Sequence, residues 1–338
     1  MKSVEELFDI MTFPSPRLIK DMSRINGDIL IAGAGGKIGP SLCIMAKRAC
    51  DAAGIKRRVI AVSMFDSKAS VDLIKSYGVE VIEADMLDPK VLQNLPDAPN
   101  IIFMAGRKFG TSGNQPLTWA INVLLPSQVA QRYGGSRIVA FSTGNVYGMR
   151  PIYSGGALEE ETLHPVGEYA QSCLGRERVL EYWSNKNNTP ILIFRLNYAI
   201  DMRYGVLHDI AVRVYNGQTI DLSTGYVNCI WQGDACEYAI RSLIMAKSPI
   251  EILNVTGPEA ISIEYLAREF GKLFKKEPVF IGQSPATCLF SNASKMVHHF
   301  GYPNVALIQM VEWTAEWIMS SGVIINAPTH FEQRDGSY

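Results

Sequence analysis

The sequence predicts an α/β fold in which a doubly wound parallel sheet is followed by a smaller C-terminal lobe. Short apolar segments alternate with helical segments from residue 28 to residue 199, which is typical of a parallel sheet covered by helices on both faces. A glycine-rich turn follows the first apolar segment, and a hydroxyl-bearing turn follows the fifth. Because ligands bind at the carboxyl ends of such strands, these two turns mark the expected site.

The composition is that of an ordinary globular protein. The chain has 338 residues, of which 47% are hydrophobic and 19% charged, and its net charge is −1. This balance offers no basic surface for nucleic acid and no cationic face for a membrane. No stretch of about 18 apolar residues is present to span a bilayer, and the acidic N-terminal segment lacks the apolar core of a signal peptide. We therefore expect a cytoplasmic protein that binds neither nucleic acid nor membrane.

The cysteines indicate neither a metal site nor a disulfide framework. None of them forms a C-x-x-C pair, and several fall in apolar or helical segments, where a reduced cysteine is a small hydrophobic residue. The six are Cys43, Cys50, Cys173, Cys229, Cys236 and Cys288. No metal site is predicted.

Residues 1–27 precede the first strand and are interpreted as an arm that packs on the domain surface. Ser3 and Glu6 have the spacing of a capping box for a short helix, and Pro14 and Pro16 then break the run. The strands predicted after the arm are 29–32, 58–64, 79–84, 100–105 and 136–142, and the helices among them include 40–53, 70–77 and 89–95.

The first strand leads into a turn of glycines. In the segment DILIAGAGGKIG, Gly33, Gly36 and Gly39 follow the pattern G-x-x-G-x-x-G, with Lys37 and Ile38 between the last two. Glycines let the backbone approach a pyrophosphate, and the N-terminus of the next helix favours its negative charge. The turn therefore predicts that a dinucleotide binds to a Rossmann-type sheet.

The end of the second strand bears on the choice between NAD and NADP. An acid at this position usually holds the ribose 2′-hydroxyl of NAD, but the residue here is Ser63. The missing acid and the nearby Lys68 favour NADP, whereas loop geometry that brings Asp66 into place favours NAD. The sequence therefore does not decide between NAD and NADP, and it gives a weak preference for NADP.

Two further strand ends are candidates for cofactor contacts. Asp85 and Met86 follow the third strand and are placed either along an adenine pocket or at the cap of the next helix. Ala105 and Gly106 follow the fourth strand, and their small size leaves room for a cofactor.

Two motifs after the fifth strand carry a family resemblance. They are STGNVYG at residues 142–148 and PVGEYAQSC at residues 165–173. Together with the glycine turn, in this order and spacing, they resemble the extended short-chain dehydrogenase/reductase family, which comprises NAD(P)-dependent sugar epimerases, dehydratases and reductases. The resemblance extends from Asp28 to the low 320s. It implies a homodimer formed through the helices that carry Asn122 and Tyr169.

The resemblance also implies roles for individual residues. Tyr169 matches the tyrosine that acts as general acid/base and is also a candidate cofactor contact, and Thr143 matches the hydroxyl that orients the substrate. Asn122 matches an asparagine often present on the preceding helix and is a candidate cofactor contact. With Thr143, the candidates for contacts to a carbohydrate-like substrate are Asn145, Asn197 and Asp234.

Cys173 stands where the family has a lysine, four residues after the tyrosine. That lysine holds the nicotinamide ribose and lowers the tyrosine pKa, which is about 10 when unperturbed. A cysteine brings no positive charge and is too short to reach the ribose. In one interpretation another cation replaces the lysine; the candidates are Lys37, Arg107, Lys108 and Arg176.

Two other interpretations of Cys173 remain open. The protein is a sensor or partner subunit that binds a dinucleotide with little or no redox turnover, or Cys173 itself reacts as a nucleophile. The nucleophile requires a lowered thiol pKa. The preferred interpretation of Cys173 itself is a plain helix residue beside the pocket.

The function predicted is an NAD(P)-dependent oxidoreductase or epimerase acting on a sugar, a sugar nucleotide or a related polyol. The alternative is a dinucleotide-binding protein with weak or no redox catalysis. Gly144 and Asn145 stand where the 4,6-dehydratases of the family carry an Asp–Glu pair. Because neither exchanges protons in that role, a dehydratase of that type is disfavoured.

The resemblance and the strand pattern divide the chain into a sheet domain and a substrate-binding lobe. The predicted divisions are an arm at 1–27, a Rossmann domain at 28–199 with a return at 226–257, a substrate-binding lobe at 200–225 and 258–325, and a tail at 326–338. Amphipathic patterns predict lobe helices at 261–274, 292–300 and 307–319.

Overall fold

A seven-stranded parallel sheet forms the centre of the computed structural model, which describes residues 3–108, 110, 113–325 and 329–336. The strands are β1 (Ile29–Ala32), β2 (Val59–Ser63), β3 (Glu80–Glu83), β4 (Asn100–Phe103), β5 (Arg137–Thr143), β6 (Ile191–Leu196) and β7 (Glu251–Val255). Their order across the sheet is β7-β6-β5-β4-β1-β2-β3. The order reverses between β1 and β4, which creates a crevice at the carboxyl ends of the strands. The predicted doubly wound fold is confirmed.

Helices cover both faces of this sheet and build the lobe. In chain order they are α1 (Val4–Met11), α2 (Pro16–Met22), α3 (Gly39–Ala52), α4 (Lys68–Ser76), α5 (Pro89–Gln93), α6 (Gln115–Trp119), α7 (Leu125–Arg132), α8 (Gly167–Asn187), α9 (Val206–Tyr215), α10 (Gln232–Arg241), α11 (Ile263–Phe274), α12 (Ser294–Phe300) and α13 (Leu307–Met319). A π-helical turn, Ala120–Leu124, joins α6 to α7, and 3₁₀ turns cover Gly144–Tyr147 and Ser242–Ile244. None of the helices in the described ranges is long and apolar enough to cross a membrane.

The first strand shows why the apolar runs form this sheet. Ile29 and Ile31 belong to the core on one face, and Leu30 and Ala32 belong to the core on the other. Successive side chains of a strand point to opposite faces, so a strand covered on both sides requires a continuous apolar run. All four residues are buried, as that pattern predicts.

The lobe has a separate core built around α9, α11 and α13. Small two-stranded ladders frame it and join it to the sheet domain. They pair Ala199–Ile200 with Ile230–Trp231 and Thr219–Asp221 with Val279–Ile281 in parallel, and Tyr226–Val227 with Ile261–Ser262 and Arg150–Pro151 with Thr287–Cys288 antiparallel. Ser262 caps α11 by accepting a hydrogen bond from the Tyr265 amide at 3.2 Å.

The N-terminal arm joins the two cores. Leu7 of α1 is buried in the lobe core, and Leu18 of α2 is buried in the sheet core. The Ser3 hydroxyl accepts a hydrogen bond from the Glu6 amide at 3.2 Å, as the capping pattern predicts. The expectation that Pro16 breaks the run missed α2, because a proline at the first turn of a helix begins it without losing a hydrogen bond.

The C-terminal tail is folded along the lobe over residues 329–336. Phe331 is buried in the lobe core, and Arg334 donates a hydrogen bond to the Thr287 carbonyl at 2.9 Å. A Cβ placed on Gly167 would lie 2.4 Å from the Gly336 carbonyl oxygen, so the tail reaches the start of α8. The rest of the predicted tail, residues 326–328 and 337–338, lies outside the described residues.

A buried ion pair connects α8 to the sheet. Arg195 of β6 donates to both carboxylate oxygens of Glu177, at 3.0 and 2.7 Å, and the Ser142 hydroxyl of β5 donates to the same carboxylate at 2.5 Å. The charged side chains are 2% and 3% exposed, so neither charge is solvated by bulk water. This network fixes the height of α8 above the ends of β5 and β6.

The Glu177–Arg195 pair generates a stability prediction. A Glu177→Gln variant leaves the Arg195 guanidinium buried without a counter-charge, which costs about 3–5 kcal/mol in the free energy of unfolding. The matched control is Glu181→Gln on the same helix, whose partner Arg178 is 63% exposed; we expect it to cost less than about 1 kcal/mol. Urea denaturation measures both, and equal losses would contradict the structural role assigned to the pair.

Candidate active site

A cavity of about 410 Å³, here called the central cavity, lies at the carboxyl ends of the strands. Its walls are the glycine turn after β1, the loop after β4, the end of β5, the start of α8, the segment after β6 and part of the lobe. This is the edge of a doubly wound sheet where ligands bind. The predicted site residues that line it are Gly36, Lys37, Ile38, Gly106, Thr143, Asn145, Tyr169 and Asn197.

The glycine turn has the close packing that its sequence pattern demands. Gly33 has φ +93°, and a Cβ there would lie 2.4 Å from the Ala105 amide nitrogen. A Cβ on Gly39 would lie 2.0 Å from the Ala34 carbonyl oxygen. Both positions therefore accept only glycine, and they hold the start of α3 directly behind the turn.

Gly36 is different, because its missing side chain faces the central cavity. A Cβ there would have no neighbour nearer than 3.7 Å. No side chain caps the first amides of α3, so this helix N-terminus keeps donors and positive dipole for an anion. A bare backbone surface beside an uncapped helix start fits the pyrophosphate of a dinucleotide.

Tyr169 and Thr143 meet at the centre of the cavity wall. Thr143 is the last residue of β5, and Tyr169 lies in the first turn of α8. Burial raises the pKa of the Tyr169 phenol well above 10, and the charge of Arg176 and the neighbouring Thr143 hydroxyl oppose this shift with smaller effects. Tyr169 therefore carries its proton at neutral pH in this structure.

Cys173 lies one turn further along α8, behind the cavity wall. It packs in a small apolar cluster with Val146, Tyr147 and Ala157, and it is 1% exposed. Burial raises its thiol pKa, and the guanidinium of Arg176 opposes this shift. A buried thiol with a raised pKa lacks the thiolate that nucleophilic chemistry requires, so the structure favours the plain helix residue.

Arg176 is the cation that α8 places near Tyr169. The two residues are seven positions apart, which puts them on one face of the helix, and both line the central cavity. The guanidinium donates to the Phe141 carbonyl at 2.7 Å and to the carbonyl and side-chain oxygens of Asn122 at 3.2 and 2.9 Å. Its charge lowers the pKa of both Tyr169 and Cys173.

The other candidate cations separate into two groups. Lys37 and Lys108 line the central cavity with Arg176. The side chain of Arg107 instead donates to the Gly110 carbonyl at 3.0 Å and is not part of the cavity lining. Burial lowers the pKa of both lysines to about 8, and the positive charge of Lys37 contributes to the shift at Lys108.

Asn122 supports the site from behind. It lies in the π-helical turn between α6 and α7 and is fully buried. Its side chain accepts from the Arg107 amide at 2.8 Å and donates to the Ser172 hydroxyl at 2.9 Å. The amide therefore joins the loop after β4 to α8, whereas the sequence had indicated a direct cofactor contact.

Three other cofactor candidates, Ser63, Asp85 and Met86, are not part of the central cavity lining. The Ser63 hydroxyl lies 2.8 Å from the position that a Cβ on Gly35 would take. Asp85 accepts a hydrogen bond from the Leu87 amide at 3.0 Å, and Met86 is buried in the sheet core. The cap of α5 is Asp88, not Asp85.

Asp234 was predicted to contact the substrate, but it lies outside the central cavity. Its carboxylate accepts hydrogen bonds from the Asn304 side chain at 2.8 Å and the Val305 amide at 3.1 Å. It lines a separate surface depression beside α1 and α2, so it joins the sheet domain to the lobe and does not contact the central cavity. The family pattern identified the position of Asp234 in the sequence, but it did not predict the direction of the side chain, which determines its hydrogen-bond partners.

Several lining residues carry no signal in the sequence. Tyr204 precedes α9, Gln232 begins α10, and Thr329 lies in the tail, yet all three line the central cavity. They come from segments far apart in the chain, so only tertiary packing reveals them. Among the described residues, no group of three or more His, Cys, Asp or Glu side chains is placed to hold a metal ion.

The model of the NAD dependent epimerase/dehydratase family matches residues 29–200, just over half of the chain. The chain belongs to this family. The match covers the glycine turn, the Thr143 strand end and the Tyr169 helix. A comparison with curated protein sequences gives no significant match.

Solved structures of epimerases and dehydratases share the fold of this family member. The UDP-glucose 4-epimerase of Thermus thermophilus, in complex with NAD, has 19% identity and a TM-score of 0.68, with 86% of this chain and 98% of that chain covered. The UDP-Glc/GlcNAc 4-epimerase of Campylobacter jejuni has 19% identity and a TM-score of 0.70 over 86% and 99% of the two chains. The dTDP-glucose 4,6-dehydratase of Bacillus anthracis str. Ames, in complex with NAD, has 16% identity and a TM-score of 0.72 over 87% and 97%.

The glycine turn generates a binding prediction for this family member. Gly36→Ala keeps an allowed backbone, since Gly36 is not among the residues with positive φ, and should change the free energy of unfolding by less than about 1 kcal/mol. Its methyl group enters the space beside α3, so we expect NADH affinity to fall at least about tenfold. Fluorescence titration measures the affinity, and thermal denaturation checks the fold.

The control for this variant is Gly135→Ala, where a Cβ meets nothing within 4 Å. It should bind NADH like the wild type. Unchanged NADH affinity in Gly36→Ala would show that the dinucleotide does not lie along this turn.

Proposed function

We propose that this protein is an NAD(P)-dependent epimerase or reductase that acts on a sugar or sugar nucleotide. The observation that carries the proposal is that Thr143 and Tyr169 lie in the wall of one cavity, close enough for the Thr143 hydroxyl to act on the Tyr169 pKa, and that this cavity also contains the glycine turn. A nicotinamide dinucleotide bound along that turn supplies the hydride acceptor or donor. The protein supplies the proton transfer and the orientation of the substrate.

Tyr169 is the proposed general acid/base. Because its pKa is raised by burial, its resting form is the phenol, which is suited to donate a proton to a substrate oxygen as a carbonyl is reduced. The reverse step, removal of a hydroxyl proton, needs a nearby positive charge to stabilise the phenolate. The Thr143 hydroxyl orients the same substrate oxygen.

Arg176 is the proposed source of that positive charge. It is permanently charged, it is buried, and it is fixed by three hydrogen bonds. Low solvation strengthens its effect on a phenolate in the same cavity. We infer that Arg176 replaces the family lysine electrostatically, while Cys173 fills the vacated helix position with an apolar side chain.

The choice of reaction within the family rests on the turn after β5. A Cβ on Gly144 would lie 2.9 Å from the Ser291 hydroxyl oxygen, and Gly144 and Asn145 carry no carboxylate. Elimination of water needs an acid/base pair beside the tyrosine, so 4,6-dehydration is not proposed. Epimerisation and ketone reduction need only one acid/base group and remain the candidates.

The substrate class and cofactor draw support from the structures of similar fold. Two of them are UDP-sugar 4-epimerases, and one of these is in complex with NAD. A sugar nucleotide is therefore the first substrate class to test. The preference for NADP rests on Ser63 at the end of β2 and stays a prediction. We also propose a homodimer through the exposed apolar residues of α6 to α8, which are Trp119, Leu124 and Tyr182.

The acid/base role of Tyr169 is tested by Tyr169→Phe. Loss of a positioned general acid/base costs about 10²- to 10⁴-fold in turnover, and the NADH dissociation constant should stay nearly constant. The assay follows nicotinamide absorbance and sugar interconversion over a panel of sugar nucleotides. Tyr302→Phe is the control, since Tyr302 is exposed and lies outside both the cavity and the proposed dimer surface.

The outcomes separate the proposal from its alternative. Turnover lost in Tyr169→Phe and kept in Tyr302→Phe supports the enzyme. Dinucleotide binding without turnover on any member of the panel favours a sensor or partner subunit. Undiminished turnover in Tyr169→Phe would contradict the acid/base role.

A second test introduces the family lysine with Cys173→Lys and uses Cys173→Ser as the matched control. An ammonium one turn from Tyr169 favours the phenolate, so we expect the basic limb of the pH profile of kcat/KM to move to lower pH. Cys173→Ser adds no charge and should leave the profile in place. A profile unchanged in Cys173→Lys would mean that Tyr169 does not set the observed titration.

A further inference from the structure

We propose that Gln232 binds the nicotinamide half of the dinucleotide, through a hydrogen bond that its side-chain oxygen accepts from an uncharged N–H or O–H group of that half. The proposal rests on the proposed function, because it takes a nicotinamide dinucleotide as a ligand of the central cavity. It goes further by assigning a cofactor contact to a residue outside the glycine turn and outside the two motifs that follow β5.

The first support is the orientation of the Gln232 amide, which its partners fix. The Nε2 group donates to the Met11 sulfur at 3.2 Å and to the Ser41 hydroxyl oxygen at 3.0 Å. A thioether sulfur only accepts, and Ser41 donates its own proton to the Ile38 carbonyl at 2.8 Å. An amide rotated by half a turn would bring its oxygen against two acceptors, so both partners require the NH₂ group on their side.

The second support is that the side-chain oxygen of Gln232 is left for a ligand. Gln232 is 3% exposed and lines the central cavity. Within the described part of the chain, no group donates a hydrogen bond to this oxygen. Because Met11 and Ser41 use both amide protons, the oxygen is the part of the amide that is available to the cavity. A buried carbonyl oxygen without a donor is costly, and a ligand that brings a donor removes this cost.

The neighbours of Gln232 place it beside the expected path of the dinucleotide. Ser41 lies in the first turn of α3, and the Ile38 carbonyl that it binds belongs to the glycine turn. On the other side, Trp231 pairs with Ile200 in the ladder that follows β6. Gln232 therefore lies between the turn where the pyrophosphate is expected and the segment after β6, and both contribute to the cavity wall.

The chemistry of the dinucleotide selects its nicotinamide half as the partner of this oxygen. The pyrophosphate offers only acceptors, and the adenosine half is expected at the end of β2, where Ser63 is not part of the cavity lining. The nicotinamide half has to enter the central cavity to react beside Tyr169, and it carries ribose hydroxyls and a carboxamide NH₂ group. These are uncharged donors, which suit a neutral carbonyl oxygen.

The test uses three ligands that build up the dinucleotide in parts, namely ADP, ADP-ribose and NADH. ADP lacks the nicotinamide half, ADP-ribose adds its ribose, and NADH adds the nicotinamide. Calorimetric titration of the full chain measures each affinity without any need for turnover. For Gln232→Met we expect an unchanged ADP affinity and an NADH affinity about tenfold lower. A loss already present with ADP-ribose assigns the ribose hydroxyls, and a loss that appears only with NADH assigns the carboxamide.

Controls separate ligand binding from structural support. Gln218→Met removes an exposed amide outside the cavity lining and should bind all three ligands like the wild type. The ADP affinity of the Gln232 variants reports the state of the glycine turn, to which Gln232 is joined through Ser41. Thermal denaturation of each variant verifies the fold, and Gln232→Ala provides a smaller substitute where the methionine variant is unstable.

Three results would overturn the proposal. They are an unchanged NADH affinity in a folded Gln232 variant, an equal loss of ADP and NADH affinity, and absence of NADH binding by the wild type. The second result would assign Gln232 to the support of the glycine turn. Failure of the proposed reaction is seen separately, because it appears as absent turnover in the Tyr169 assays and leaves the comparison of the three ligands intact.

Discussion

The active-site geometry of this protein depends on the buried ion pair between Glu177 and Arg195. Thr143 ends β5 and Tyr169 lies in the first turn of α8, so the two residues line one cavity only if α8 has a fixed position over the sheet. Glu177, two turns along α8 from Tyr169, is bound by Arg195 of β6 and by Ser142, the residue before Thr143. The charges are costly to bury, and this cost is offset by bonds that set the distance between the two catalytic candidates.

The same constraint on buried charge explains why Cys173 is tolerated. Its position lies among Val146, Tyr147 and Ala157, where an ammonium loses hydration. The neighbouring carboxylate of Glu177 is already paired with Arg195. Arg176, one turn away, has oxygens from Phe141 and Asn122 to receive its protons. The positive charge of the site therefore lies at Arg176, where hydrogen-bond acceptors are present, and not at position 173, where the surroundings are apolar.

Sequence patterns predicted the fold well where one physical effect dominates. The first strand, 29–32, matches β1 because a strand buried on both faces needs an unbroken apolar run. The start of α2 was missed because Pro16 has opposite meanings inside a helix and at its first turn. The site was predicted less completely than the fold. The side-chain direction of Asp234 does not follow from local sequence spacing, and neither does the contribution of Thr329, which comes from a segment far along the chain.

The separation of the lysine's two tasks is the main consequence of this arrangement. A lysine at position 173 would act on the tyrosine and reach a ribose with one ammonium. Here Arg176 is held by three hydrogen bonds and acts on Tyr169 through its charge, so its guanidinium cannot follow a ligand. Lys37 and Lys108 line the same cavity. The Arg176 charge, fixed in this way, acts on the tyrosine whether or not a ligand is bound, because its hydrogen bonds are to Phe141 and Asn122.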